Sequence, residues 1–211
     1  MLGTHDMLLF VITGVLLNLT PGPDMLYIIG RSTTQGWQAG AAATLGVGAG
    51  CLVHITAAVL GLSAVLSTSA AAFTLVKLIG AAYLVYVGIA LVLASGSTSQ
   101  GATIQLPATA PVRKVFFQGF FTNVLNPKIA LFFLAFVPQF INAGTPHKAL
   151  AFLYLGIIFD CNGTLINLFI ARCAARTGSM LRGGKLISWF NCWVGGLLVY
   201  LGIRLALEEP A

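Results

Sequence analysis

Forty-five consecutive residues between Arg31 and Lys77 carry no formal charge. At roughly 20 residues per helical crossing, that is room for two passes through a bilayer. It is also more apolar chain than a soluble fold of 211 residues could cover. Hydrophobic residues make up 58% of the chain and charged residues 8%, with a mean hydropathy of +0.94; a soluble domain carries about 25% charged residues. The chain is therefore predicted to be a polytopic membrane protein. Its net charge of +6 comes from basic residues scattered singly beside apolar spans, which is a topology signal and no nucleic-acid footprint. The segment 7–19 has the length of a signal-peptide core, but without basic residues ahead of it or a small-residue cleavage site behind it, and is expected to be part of the fold. Cys51, Cys161, Cys173 and Cys192 share no close spacing, so packing and not a disulfide framework is expected of them.

Helical crossings are predicted over residues 7–30, 38–67, 70–93, 114–137, 148–171 and 186–207, separated by turn-forming clusters such as Thr33-Thr34-Gln35-Gly36 and Asn142-Ala143-Gly144-Thr145-Pro146. The segment Ala94 to Pro111, rich in Ser, Thr, Gly and Ala, is the one real linker. The two sides of it are related. Leu84-Val85-Tyr86-Val87-Gly88-Ile89 returns 114 positions later as Leu198-Val199-Tyr200-Leu201-Gly202-Ile203. Thr20-Pro21 returns 106 positions later as Asn126-Pro127, and the same offset sets His54 over Asp160 and Gly50 over Gly156. The expected organisation is one all-α transmembrane domain over 1–211, with a first repeat 1–93, a linker 94–111 and a second repeat 112–211. Three spans per repeat is an odd number, so the second repeat enters from the opposite face and the repeat is inverted.

Basic residues outside the spans set the orientation. Arg31, Arg113, Lys114, Arg172, Arg176, Arg182 and Lys185 fall on one side, Lys148 and Arg204 on the other. Seven against two places the first group in the cytoplasm and both termini outside.

The first and fourth spans are predicted to be broken. Met7 to Leu19 is too short to cross before Thr20-Pro21-Gly22-Pro23-Asp24, and Val115 to Leu125 runs into Asn126-Pro127-Lys128. Proline removes a backbone donor and frees carbonyls of the preceding turn, tolerated at membrane depth only where protein or a wet cavity surrounds them. Thr20 and Asn126 suit the N-cap, and Pro21 and Pro127 the first helical position. Each repeat is thus expected to hold a half-helix starting near mid-membrane, its free amides aimed at a central cavity. A kinked helix whose carbonyls are met by neighbours is the plainer alternative.

Asp24, Lys77, Lys128 and Asp160 are too deep to be loop charges. An ion at the bilayer centre costs about 2.5–3.5 kcal/mol on insertion scales, so each needs a partner or a wet pathway. Asp160 lies mid-span, where a short side chain cannot snorkel. Asp24 and Lys128 flank the two breaks and are expected to meet as a pair, while the long stem of Lys77 could carry its charge to the interface. His54 matches Asp160 in the repeat, yet a lone histidine in a helix is more often a hydrogen-bonded core residue. Asn123, Asn162 and Asn167 can bond across helices, and Gly46 and Gly50 form a Gly-x-x-x-Gly face that fits close helix packing or a homodimer seam.

Thr20-Pro-Gly-Pro-Asp24, Lys77-Leu-Ile-Gly-Ala-Ala-Tyr-Leu-Val-Tyr-Val-Gly88 and Asn123-Val-Leu-Asn-Pro-Lys128 resemble the lysine exporter / homoserine–threonine exporter family, and Asp160 falls where that family has an aspartate in its fifth span. The resemblance covers essentially the whole chain. It implies an exporter of the bacterial inner membrane, multi-pass, that removes amino acids or close derivatives from the cytoplasm using the ion gradient; no cofactor and no enzymatic activity are expected of the chain. Cys161 beside Asp160 and Cys51 near His54 depart from the family's pattern.

A mechanism follows as an expectation. The expected substrate-binding residues are Thr20, Pro21, Gly22, Pro23, Asp24, Asn123, Asn126, Pro127 and Lys128; the substrate carboxylate is met by the half-helix starts at Gly22–Asp24 and Pro127–Lys128, with Lys128 adding charge. The substrate ammonium is met by Asp24 or Asp160, and the other acid, with His54 as a further candidate, carries the coupling proton while the halves rock about the site. A metal permease with Cys51, His54, Asp160 and Cys161 as ligands is the alternative; it leaves the paired breaks and Lys128 without a role. For an enzyme, the chain offers no paired acidic metal motif, no nucleophile with a base and no glycine-rich phosphate loop.

Overall fold

A computed structural model describes residues 3–62, 109–142 and 144–177, with isolated helical positions between 78 and 93 and between 192 and 207. The regular structure described is helical, apart from a single bridge between Thr4 and Ile141. Helix α1 is Met7–Leu19 and α2 is Pro23–Gln35. Helix α3, Trp37–Ala57, runs on into a widened π-helical turn over Ala58–Leu62. Helix α4 is Val112–Val124. Helix α5, Pro127–Leu131, widens over Phe132–Phe136 and tightens into a 3-10 turn over Val137–Phe140. Helix α6 is Lys148–Thr177.

Two helices are long and apolar enough to cross a membrane alone, in Trp37–Gly61 and Lys148–Arg176, and the two bent pairs would make four. The bends fall at the predicted breaks, 54° between α1 and α2 and 46° between α4 and the α5 segment. Their local chemistry differs. Asn126 caps α5 as expected, its side-chain oxygen accepting from the Lys128 amide at 3.0 Å with Pro127 at the first helical position. At the first break the expected Thr20 cap is not found. Thr20 closes α1 instead, its hydroxyl donating to the Leu16 carbonyl at 2.8 Å and its amide to Leu16 and Leu17, so α2 begins only at Pro23 behind Gly22.

Helix α3 packs against α2, α4 and α6. Its seam with α4 runs backbone on backbone: a methyl at Gly46 would collide with the Phe116 carbonyl, at Gly50 it would lie 2.6 Å from the Phe120 oxygen, and at Gly119 2.5 Å from that of Ala43. The Gly-x-x-x-Gly face is thus used inside the chain. Gly88 and Gly195 face each other in the same manner, each blocking a Cβ on the other at 2.6 Å. Leu165 and Phe169 on α6 (67% and 70% exposed), Leu45 and Leu52 on α3 and Phe121 on α4 point outward, an apolar exterior suited to lipid. Serine and threonine hydroxyls of α2, α3 and α4, such as Ser32, Thr44 and Thr122, return to carbonyls four residues back, so these hydroxyls are satisfied within their own helices.

The two ends of the bundle differ. At one, Gln35 donates to the Ala110 carbonyl at 2.9 Å, and the Arg172 guanidinium lies 5.5 Å from the Trp37 ring, gathering the chain near Arg113, Lys114, Arg172 and Arg176. At the other, the His5 amide reaches the Phe140 carbonyl at 3.1 Å and the Asn142 amide that of Gly3 at 2.8 Å. Arg31 is a correction. It is fully buried in α2 and is no loop charge, because its guanidinium donates to Gln118 of α4 at 2.8 Å and to Gln35 at 2.7 Å. The basic bias without it is still six against two. The predicted spans 70–93 and 186–207 lie largely outside the described residues, as does Lys77.

Candidate functional site

Two apolar clusters fill the interior. One is aromatic, built on Phe10, Phe132, Phe136, Phe140, Phe152 and Phe159, with Phe132 stacked on Phe159 at 4.3 Å. The other joins Tyr27, Ile28, Val47 and Val115 across α2, α3 and α4. A cavity of about 30 Å³ lies where they meet, Val47 coming from one and Cys51, Ile129 and Phe159 from the other. That is room for one or two waters.

Both breaks supply its walls. From the first come Thr20, Gly22 and Asp24, and from the second Asn123, Asn126 and Lys128. Asp24 is buried, one carboxylate oxygen accepting from the amides of Asn123 and Asn126 at 2.8 Å each. Its other oxygen, the Asn123 oxygen and the Asn18 amide nitrogen are buried without a hydrogen-bond partner. A buried polar atom left in that state costs about 1–3 kcal/mol, so these three are the groups a polar ligand would relieve.

Asp24 and Lys128 do not form the expected ion pair. The Lys128 ammonium donates to the carbonyls of Leu17 at 2.7 Å and Thr20 at 2.9 Å. Those oxygens lie at the C-terminal, negative end of the α1 dipole, and the Leu17 oxygen also accepts from the Thr20 amide at 3.2 Å. Two asparagines and two carbonyls have taken the partners that each charge would have offered the other. One of the three lysine donors remains.

Asp160 reaches the cavity from α6, as Cys51 does from α3. Gly48 opens the space it occupies: a methyl there would sit 3.5 Å from its carboxylate and 2.9 Å from the Thr164 hydroxyl. His54 does not line the cavity. Its ring nitrogen lies 2.9 Å from the Asn123 carbonyl and its ring stacks on Phe133, so it braces the end of α4. The prolines Pro21, Pro23 and Pro127 shape the breaks but do not line the cavity either. Among the described residues no three His, Cys, Asp or Glu side chains gather to hold a metal ion. The proposed metal set fails on Cys161, exposed on the outside of α6, and on His54, turned to Asn123.

Sequence reasoning missed Asn18, Thr164 and a lining role for Asn167. The signal was present: positions 160, 163, 164 and 167 fall on one helix face with Asp160.

The sequence profile of the LysE type translocators matches residues 15–209. The chain is 30% identical over 202 residues to a homoserine/homoserine lactone efflux protein of Salmonella typhi, covering 96% of each chain. It is 28% identical over 198 residues to a leucine efflux protein of Salmonella choleraesuis, covering 93% of this chain and 92% of that one. It is 31% identical over 210 residues to an uncharacterized membrane protein of Vibrio cholerae, covering 97% and 98%. No solved structure matches the chain. By the match over nearly its whole length, this chain belongs to the LysE type translocator family.

Proposed function

We propose that the protein is a secondary active transporter that exports amino acids or close derivatives from the bacterial cytoplasm across the inner membrane, coupled to the proton gradient. The observation that carries this reading is the convergence of both helix breaks on one buried cavity holding Asp24, Lys128 and Asp160. The efflux relatives support the substrate class.

A zwitterion needs two anchors of opposite sign. Its ammonium is met by the bare oxygen of Asp24. Its carboxylate is met by the remaining donor of Lys128 and by the start of α2, which no side chain caps. Asp160, across the cavity on α6, carries the coupling proton. At about 30 Å³ the cavity is closed to an amino acid, so transport requires a wider state. Six spans in two inverted repeats, cytoplasmic placement of the end near Arg113 and Arg172, and external termini complete the reading; the gathering of basic residues at one end supports it.

The test is movement of a panel of amino acids into proteoliposomes under an imposed pH gradient. Gradient-dependent movement of at least one amino acid is expected. Movement of none, or movement indifferent to the gradient, overturns the proposal. A label at residue 100 reacting only from outside overturns the orientation.

A further inference from the structure

The Lys128 ammonium sits where a free cation would sit. Carbonyl oxygens at a helix break at membrane depth must be satisfied by protein or by an ion, and broken helices of transporters hold cations with such oxygens. Here the Leu17 and Thr20 carbonyls at the end of α1 converge on Nζ at 2.7 and 2.9 Å. The dipole of α1 adds negative potential at that end, and Asp24 lines the same cavity from beyond ion-pair distance. Lys128 comes from α5, in the other sequence repeat, and its stem passes 3.7 Å from where a Gly22 side chain would stand.

We propose that Lys128 is a tethered monovalent cation: its ammonium fills a cation site made by the Leu17 and Thr20 carbonyls, which a free ammonium-sized ion occupies once the side chain is removed. The site holds the first break in shape whether or not the cavity carries an amino acid. Wild-type protein therefore needs no free sodium or potassium there. An ammonium and a potassium ion are close in radius and sodium is smaller, so the emptied site should prefer methylammonium or potassium to sodium.

The experiment is thermal unfolding of purified full-length protein in detergent, with chloride salts exchanged at constant ionic strength. Substrate is absent, so its outcome is independent of the transport reading. Lys128→Ala should unfold below wild type, and methylammonium or potassium, but not bulky choline, should raise its midpoint by about 2–4 °C at saturating concentration. Wild type should not distinguish the salts. Lys128→Gln keeps a donor for the carbonyls without the charge. It should also unfold below wild type and gain nothing from methylammonium. The proposal is overturned if Lys128→Ala responds equally to methylammonium and choline, or if Lys128→Gln matches wild type. It is overturned as well if wild type itself is stabilised by potassium or sodium over choline, a measurement that stands even should a variant not fold.

Discussion

Asn126 joins the two breaks, and replacing it separates its two duties. Its oxygen caps α5 through the Lys128 amide at 3.0 Å, while its nitrogen donates to Asp24 at 2.8 Å. Serine at this position can still cap but cannot reach Asp24; alanine can do neither. A buried hydrogen bond to a charged group contributes about 1.5–3 kcal/mol, and an N-cap about 1 kcal/mol. Asn126→Ser should therefore lose about 2 kcal/mol of stability and Asn126→Ala about 3 kcal/mol, read as unfolding midpoints in detergent. Asp24 keeps its bond to Asn123 but loses half of its tether, so affinity for the transported amino acid, by calorimetric titration, should fall about tenfold for each 1.4 kcal/mol misplaced. Should Asn126→Ser match wild type in both assays while Asn126→Ala loses only the cap's contribution, the tether to Asp24 has no energetic meaning and the account of the site is wrong.

Gln118→Leu removes the acceptor shared by Tyr27, at 3.1 Å, and Arg31; the unfolding midpoint should drop by the equivalent of about 1.5–3 kcal/mol, and an unchanged midpoint refutes the link between α2 and α4. Gly46→Ala should cost about 1–3 kcal/mol by forcing α3 off the Phe116 backbone. Gly61→Ala, with nothing within 4 Å, should be neutral or slightly stabilising, and equal effects at both positions would contradict the seam. Asp160→Asn, nearly equal in size, should fold normally yet lose gradient-driven movement in proteoliposomes; undiminished movement removes Asp160 from coupling.

The breaks were legible because proline acts locally: each removes a donor wherever the chain goes, and both bends appear where the prolines stand. Opposite charges at the two breaks suggested a pair, but sequence cannot reveal that two carbonyls and two asparagines compete better for them. Arg31 looked like a loop charge because its partner Gln118 is 87 positions away. The lining of Asn18, Thr164 and Asn167 was half legible, since helical spacing puts the α6 pair beside Asp160 but nothing local points α1 at them. His54 matched Asp160 by sequence offset, but an offset says nothing of the direction in which a side chain faces.

Glycine contact between α3 and α4 has a mechanical consequence. These helices lie far apart in the chain, yet at Gly46, Gly50 and Gly119 backbone meets backbone, with no side chain between to slide or repack. A hinge between α3 and α4 would have to break that backbone contact. The two helices are therefore expected to move as one strut, with any yielding joint where bulky, deformable side chains form the contact, as among the phenylalanines around Phe132.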